Sequence, residues 1–83
     1  MDKILVNIYV PIITMSYDML IPPASSMHEV LGLIKKAVTE MSDGQFISGS
    51  NNVICFRDSG KIIDINLLVF ETGIHNGSRL MLI

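Results

Sequence analysis

The chain has 83 residues, of which 49% are hydrophobic and 17% are charged, and its formal net charge is −2. This composition predicts a single small folded domain over residues 1–83 and argues against intrinsic disorder. The weakly acidic balance argues against a nucleic-acid partner, and no apolar run reaches the roughly 18–20 residues that insertion into a membrane requires. A single cysteine cannot form an internal disulfide, which favours a reducing, cytoplasmic location.

The N-terminal part of the chain contains two strand patterns. Residues 3–10 alternate between apolar and mixed positions, which predicts a strand with one buried face. Pro11 cannot donate a ladder hydrogen bond, so it ends this strand or starts a turn. A second strand is predicted over residues 15–21, and the two strands together form a hairpin.

A helix is predicted after the proline pair that ends the second strand. The motif S-x-x-E places Ser26 where its hydroxyl can accept a hydrogen bond from the amide of Glu29. Apolar residues then recur at helical spacing over residues 27–41, with Met41 as the last member of the apolar face. Gly44 is predicted to end the helix in a left-handed conformation.

The C-terminal part contains shorter elements. Residues 53–56 predict a third strand, residues 62–63 a short fourth strand, and residues 67–70 a single helical turn. The pair Asn76-Gly77 predicts a turn before a last strand in RLMLI, which ends at Ile83.

The order of these elements resembles that of ubiquitin over the whole chain. VICFRDSGKII is similar to the third strand, turn and fourth strand of ubiquitin, and GIHNGSRLMLI to its last turn and strand. The stretches SYDMLIPPASSMHEVLGLIKKAV and ETGIHNGSRLMLI more closely resemble the YukD/EsaB-like family of bacterial type VII (WXG-type) secretion. The resemblance implies an α+β, ubiquitin-like β-grasp fold. Its mixed sheet has four to five strands, the last strand lies between the first and the third, and one helix packs across one face.

The resemblance also implies a function. It implies a non-catalytic accessory or regulatory protein that binds a membrane ATPase or a regulator of the secretion apparatus, with a homodimer as a further possibility. A β-grasp interaction module of unrelated context remains an alternative. A ubiquitin-like modifier or sulfur carrier is disfavoured, because such proteins act through a flexible Gly-Gly tail and this sequence stops at Ile83.

The residues that could support catalysis or bind a cofactor are scattered. Cys55 lies between apolar neighbours on a predicted strand, which indicates a small apolar filler and not a nucleophile. His28 and His75 are far apart in sequence and lack the spacing of metal ligands. We therefore expect neither an enzyme nor a metal or cofactor site.

The strongest candidate site is the face of the sheet that the helix leaves open. Period-two alternation places apolar side chains on this face, and contiguous exposed apolar area marks a protein-binding surface. Charge is expected at its flanks, at Lys3 and Asp18. The alternative is that these are ordinary isolated surface hydrophobics. The predicted protein-binding residues are Leu5, Tyr9, Leu20, Cys55, Met81 and Ile83.

Overall fold

The computed structural model describes residues 2–83. Within them, four strands form a mixed sheet and one α-helix packs across one face of it. The sheet order is β2-β1-β4-β3, so the predicted position of the last strand between the first and third is confirmed. The elements are β1 (Ile4–Val10), a 3-10 turn (Pro11–Ile13), β2 (Met15–Ile21), α1 (Met27–Met41), β3 (Ile54–Phe56), a 3-10 turn (Val69–Glu71) and β4 (Ser78–Leu82).

The two central strands, β1 and β4, organise the sheet. β1 is antiparallel to β2, with Val6 opposite Met19, and parallel to β4, with Ile8 opposite Leu80. β3 pairs antiparallel to the other side of β4. Val6, Ile8 and Leu80 are buried beneath the helix, as the period-two alternation predicts.

Helix α1 begins at the predicted signal, but the first left-handed residue after its end is Asp43, with φ of 55°, and Gly44 is the second. The amide of Glu29 donates to the Ser26 hydroxyl at 3.2 Å, and Gly44 is left-handed with φ of 81°. Met41, predicted for the buried face, is instead exposed at the end of the helix, where it borders a groove beside β2. The buried side chains of α1 are those of Met27, Val30, Ile34 and Val38.

The predicted fourth strand, residues 62–63, is reduced to an isolated bridge between Ile62 and Cys55. The chain leaves the sheet at this point because the carbonyls of Ile65 and Leu67 accept hydrogen bonds from the first two amides of α1. The sheet formed by residues 2–83 therefore has four strands and not five.

Residues from the loops complete the core. The predicted helical turn at residues 67–70 forms one or two residues later, as the 3-10 turn Val69–Glu71, and the Val69 side chain is fully buried. Phe46, in the loop after α1, and Ile74, before β4, are also buried against the sheet and helix. The core is thus closed at its ends by loop residues that lack a periodic pattern.

Candidate functional site

The open face of the sheet carries most of the predicted binding residues. Leu5 and Leu20 lie opposite each other in the pairing of β1 with β2, and both are exposed, Leu20 to 62%. Tyr9 lies opposite Met81 in the pairing of β1 with β4, and both are half-buried. Ile83 follows β4 and is 49% exposed. These five side chains are accessible to a partner to different degrees.

Arg57 partly covers Tyr9. The carbon of its guanidinium lies 4.4 Å from the centre of the tyrosine ring, a distance typical of a cation–π contact. The amide of Arg57 donates to the carbonyl of Arg79 at 2.9 Å, which continues the pairing of β3 with β4 and holds Arg57 on the sheet. A partner that contacts Tyr9 must therefore stack on this cation or displace it.

A polar row crosses the middle of the open face. Asn7 pairs with Asp18 on β2 and with Arg79 on β4, and its side-chain amide donates to the Asp18 carboxylate at 3.0 Å. Arg79 forms an ion pair with Asp58. The prediction that charge lies only at the flanks of this face is therefore wrong. The row separates the exposed leucine pair on β1 and β2 from the apolar residues around Met81.

The prediction that Cys55 belongs to the accessible surface is also wrong, because this residue is only 1% exposed. β4 flanks it on one side, where Met81 is its partner, and the bridge to Ile62 flanks it on the other. Its Sγ lies 3.8 Å from the carbonyl oxygen of Met81. Burial raises the pKa of the thiol, so the protonated and less reactive form is favoured. This environment agrees with the interpretation of Cys55 as an apolar filler.

A second apolar surface, which the sequence did not predict, lies at the end of the sheet where β1 and β4 both finish. Ile12 and Ile47 are 83% and 85% exposed and, with Ile83, border a pocket of about 470 Å³. Phe46 and Leu82 also line this end pocket. Both exposed isoleucines lie outside the strands and α1, where no periodicity separates buried from exposed positions, so the sequence pattern held no signal for them.

The titratable side chains do not form a cluster with evident chemistry. Within residues 2–83, no group of three or more His, Cys, Asp or Glu side chains is placed to hold a metal ion. His28 and His75 are exposed, and the Nδ1 atom of His75 lies 2.9 Å from the carbonyl oxygen of Asn76. The described residues also include no helix with the length and apolar character needed to cross a bilayer. The feature of this surface that a partner protein could use is its exposed apolar area.

Solved structures share this architecture. The ubiquitin-like domain of the Mycobacterium tuberculosis type VII secretion system protein ECCD1 matches with a TM-score of 0.79 at 16% identity, over 100% of this chain and 99% of that chain. The 83-residue protein therefore has the ubiquitin-like β-grasp fold. The predicted α+β class is thereby confirmed. Part of a chain of the MycP5-free ESX-5 inner membrane complex matches as well, with a TM-score of 0.74 at 12% identity, over 100% of this chain and 21% of that chain.

The ubiquitin-like fold is not confined to secretion systems. A chain of the toluene 4-monooxygenase HD complex with the inhibitor 4-bromobenzoate matches with a TM-score of 0.76 at 10% identity, over 96% of this chain and 95% of that chain. No protein-family model and no curated protein matches the sequence. At these identities the likeness establishes the fold, and the function has to be inferred from the surfaces as well.

Proposed function

We propose that this protein is a non-catalytic, cytoplasmic ubiquitin-like component of a bacterial type VII secretion system that binds another component of the apparatus non-covalently. The observation that carries the proposal is the likeness to the ECCD1 domain, which extends over the whole of this chain and nearly the whole of that domain. The resemblance of two sequence stretches to the YukD/EsaB-like family points to the same system. The likeness to a chain of an inner membrane complex supports a partner at the membrane, such as an ATPase or a regulator.

The open face supports a binding role. Leu5 and Leu20 give an exposed apolar pair, and apolar area of this kind on a small protein is typical of interaction sites. The polar row beside the pair includes the Asp18 carboxylate and the Arg79 guanidinium, which can fix the orientation of a partner. The raised pKa and burial of Cys55 support a role that does not depend on thiol chemistry.

The test is affinity purification from the native host with a tag on the N-terminus, followed by mass spectrometry of native and denatured samples. We expect components of a secretion apparatus in the native sample and their loss on denaturation. Leu5→Asp should reduce their capture at least about tenfold, because it replaces one leucine of the apolar pair with a charged side chain. Phe70→Asp is the matched control, since Phe70 is similarly exposed but lies in the second 3-10 turn, away from the open face.

Three results would contradict the proposal or the contact surface assigned to it. Species of higher mass that survive denaturation would indicate covalent attachment and would favour a modifier. Reproducible capture of proteins unrelated to secretion, lost in Leu5→Asp but not in Phe70→Asp, would favour an interaction module of another context. Equal capture by both variants and the unmodified protein would exclude the open face as the contact surface.

A further inference from the structure

Strand β2 forms an open edge of the sheet. It pairs with β1 through all seven residues of Met15–Ile21, and within residues 2–83 no strand pairs with its other side. Alternate backbone N–H and C=O groups of such a strand point away from the sheet and can pair with another extended chain. Edges of this kind are commonly blocked by Lys, Pro or a bulge, whereas β2 contains neither Lys nor Pro and has Asp18 as its charged residue.

An apolar groove runs beside this edge. It has a volume of about 300 Å³ and lies between residues 18–22 and one side of α1. Leu33 and Met41, which are 57% and 48% exposed, form its helical wall together with Ala37. The groove lies on the α1 side of β2, and it meets the open face at the edge of the sheet, where Asp18 and Leu20 also line it. Exposed apolar side chains next to unpaired backbone groups are the two features that strand addition uses.

The position of Asp18 selects against a second copy of this chain as the occupant. Asp18 is the middle residue of β2, with three strand residues on either side. Two copies that paired their β2 strands over the full length about a two-fold axis would therefore place the two Asp18 carboxylates opposite each other. Like charges directly opposite in a sheet destabilise the pairing.

The position of Asp18 also indicates the chemistry that a different partner at this edge should have. We infer that the β2 edge and its groove bind an extended segment of a partner protein, which adds to the sheet as a further strand. Apolar residues at alternate positions of this segment enter the groove against Leu33 and Met41, because successive side chains of a strand point to opposite faces. The intervening central position, on the side of Asp18, carries Lys or Arg. This inference does not depend on the proposed role in secretion.

The test uses the full chain labelled with ¹⁵N and a synthetic peptide about as long as β2. The peptide has Ile at alternate positions, Lys at its centre between two of them, and Ser elsewhere. We expect the amide signals of β2 to shift together with those of Leu33 and Met41. Replacement of the central Lys by Glu should weaken binding about fivefold, the effect of a reversed cross-strand charge pair. A peptide N-methylated at alternate residues should not bind, because it cannot pair with the edge.

Variants at exposed positions make the result specific. Asp18→Lys should reverse the preference, so that the Glu peptide binds more tightly than the Lys peptide. Leu33→Lys should weaken binding at least about tenfold, since it charges the groove wall. Ile12→Lys is the matched control, because Ile12 is highly exposed and lies outside the groove. Dispersed amide spectra of each variant establish that the fold is retained.

Other outcomes would overturn the inference. Signal shifts centred on the open face or on the end pocket would place the peptide elsewhere. Equal binding of the N-methylated peptide, or no effect of Asp18→Lys on the preference, would exclude strand addition next to Asp18. The two proposals fail separately, because peptide binding is measured with the purified protein and the secretion role with captured proteins. The effect of Leu5→Asp on the capture of proteins is therefore independent of whether the groove binds a peptide.

Discussion

Cys55 lies in the middle of the short strand β3, with β4 on one side and the bridge to Ile62 on the other. The sequence predicted correctly that Cys55 lies on a strand, but it did not predict that the side chain is buried. Period-two alternation assigns a residue to a face of the sheet and does not report whether other segments of the protein cover that face. Its burial raises the pKa of the thiol, since desolvation penalises the thiolate. A residue that alternation assigns to a surface thus belongs to the interior.

Because this thiol is buried, the free energy of unfolding of the protein should change with pH in the alkaline range. As pH rises past the ordinary thiol pKa, the unfolded chain loses the Cys55 proton before the folded chain does, so the free energy of unfolding falls. Cys55→Ala removes this contribution. Denaturant unfolding of both proteins in a reducing buffer, from neutral pH to above pH 9.0, should therefore give curves that converge as pH rises. Curves that stay parallel would mean that the thiol titrates alike in both states.

Asn7 and Arg79 show a different limit of sequence reasoning at the same scale. Both are polar residues on predicted strands, yet charge was expected on the open face only at Lys3 and Asp18. The register of β1 with β2 places Asn7 opposite Asp18, and only the register of β1 with β4 reveals that Arg79 extends this pair into a row. Register between parallel strands depends on distant parts of the chain, so it is not contained in the local pattern.

Among the elements, α1 and β2 were predicted with the residue bounds that the structure has. Each repeats its period several times and is delimited by proline, a capping serine or glycine, so several signals agree. Residues 62–63 are too few to establish a period, and hydrogen bonds from the N-terminus of α1 draw the following carbonyls of Ile65 and Leu67 away from the sheet. Short elements are decided by contacts that only the folded chain contains.

The N-terminus of α1 offers a direct test at this scale. Ser26 accepts the hydrogen bond of the Glu29 amide, while loop carbonyls accept those of the two preceding amides. Ser26→Ala leaves the Glu29 amide without its partner and should lower the free energy of unfolding by about 1 kcal/mol. Denaturant titrations compare it with Ser48→Ala, a substitution in the exposed loop after the helix that should change little. Ser26→Asp should retain most of the stability. Equal losses in Ser26→Ala and Ser48→Ala would contradict the capping role.

On the scale of the whole molecule, the two central strands differ from the two outer ones in whether they leave backbone hydrogen-bonding groups available to a partner. β4 lies between β1 and β3, so its backbone groups find partners on both sides. β2 and β3 are the outer strands, and β3 is followed by the bridge at Ile62, whereas β2 has an open outer side within the described residues. The strand order therefore places the core at the centre of the sheet and the accessible backbone at β2.

Amide hydrogen exchange tests this arrangement in solution. The amides of Leu80, Met81 and Leu82 lie between two neighbouring strands, so they should exchange slowly and evenly, near the rate set by global unfolding. The amide of Ser78 donates instead to the turn carbonyl of His75. In β2 the protection should alternate, because successive amides point toward β1 and toward solvent in turn. Exchange measured by NMR at two protein concentrations separates the alternatives. Even protection along β2 that increases with concentration would mean that copies of the chain pair through this edge despite Asp18, and the inferred peptide site would then be occupied by the protein itself.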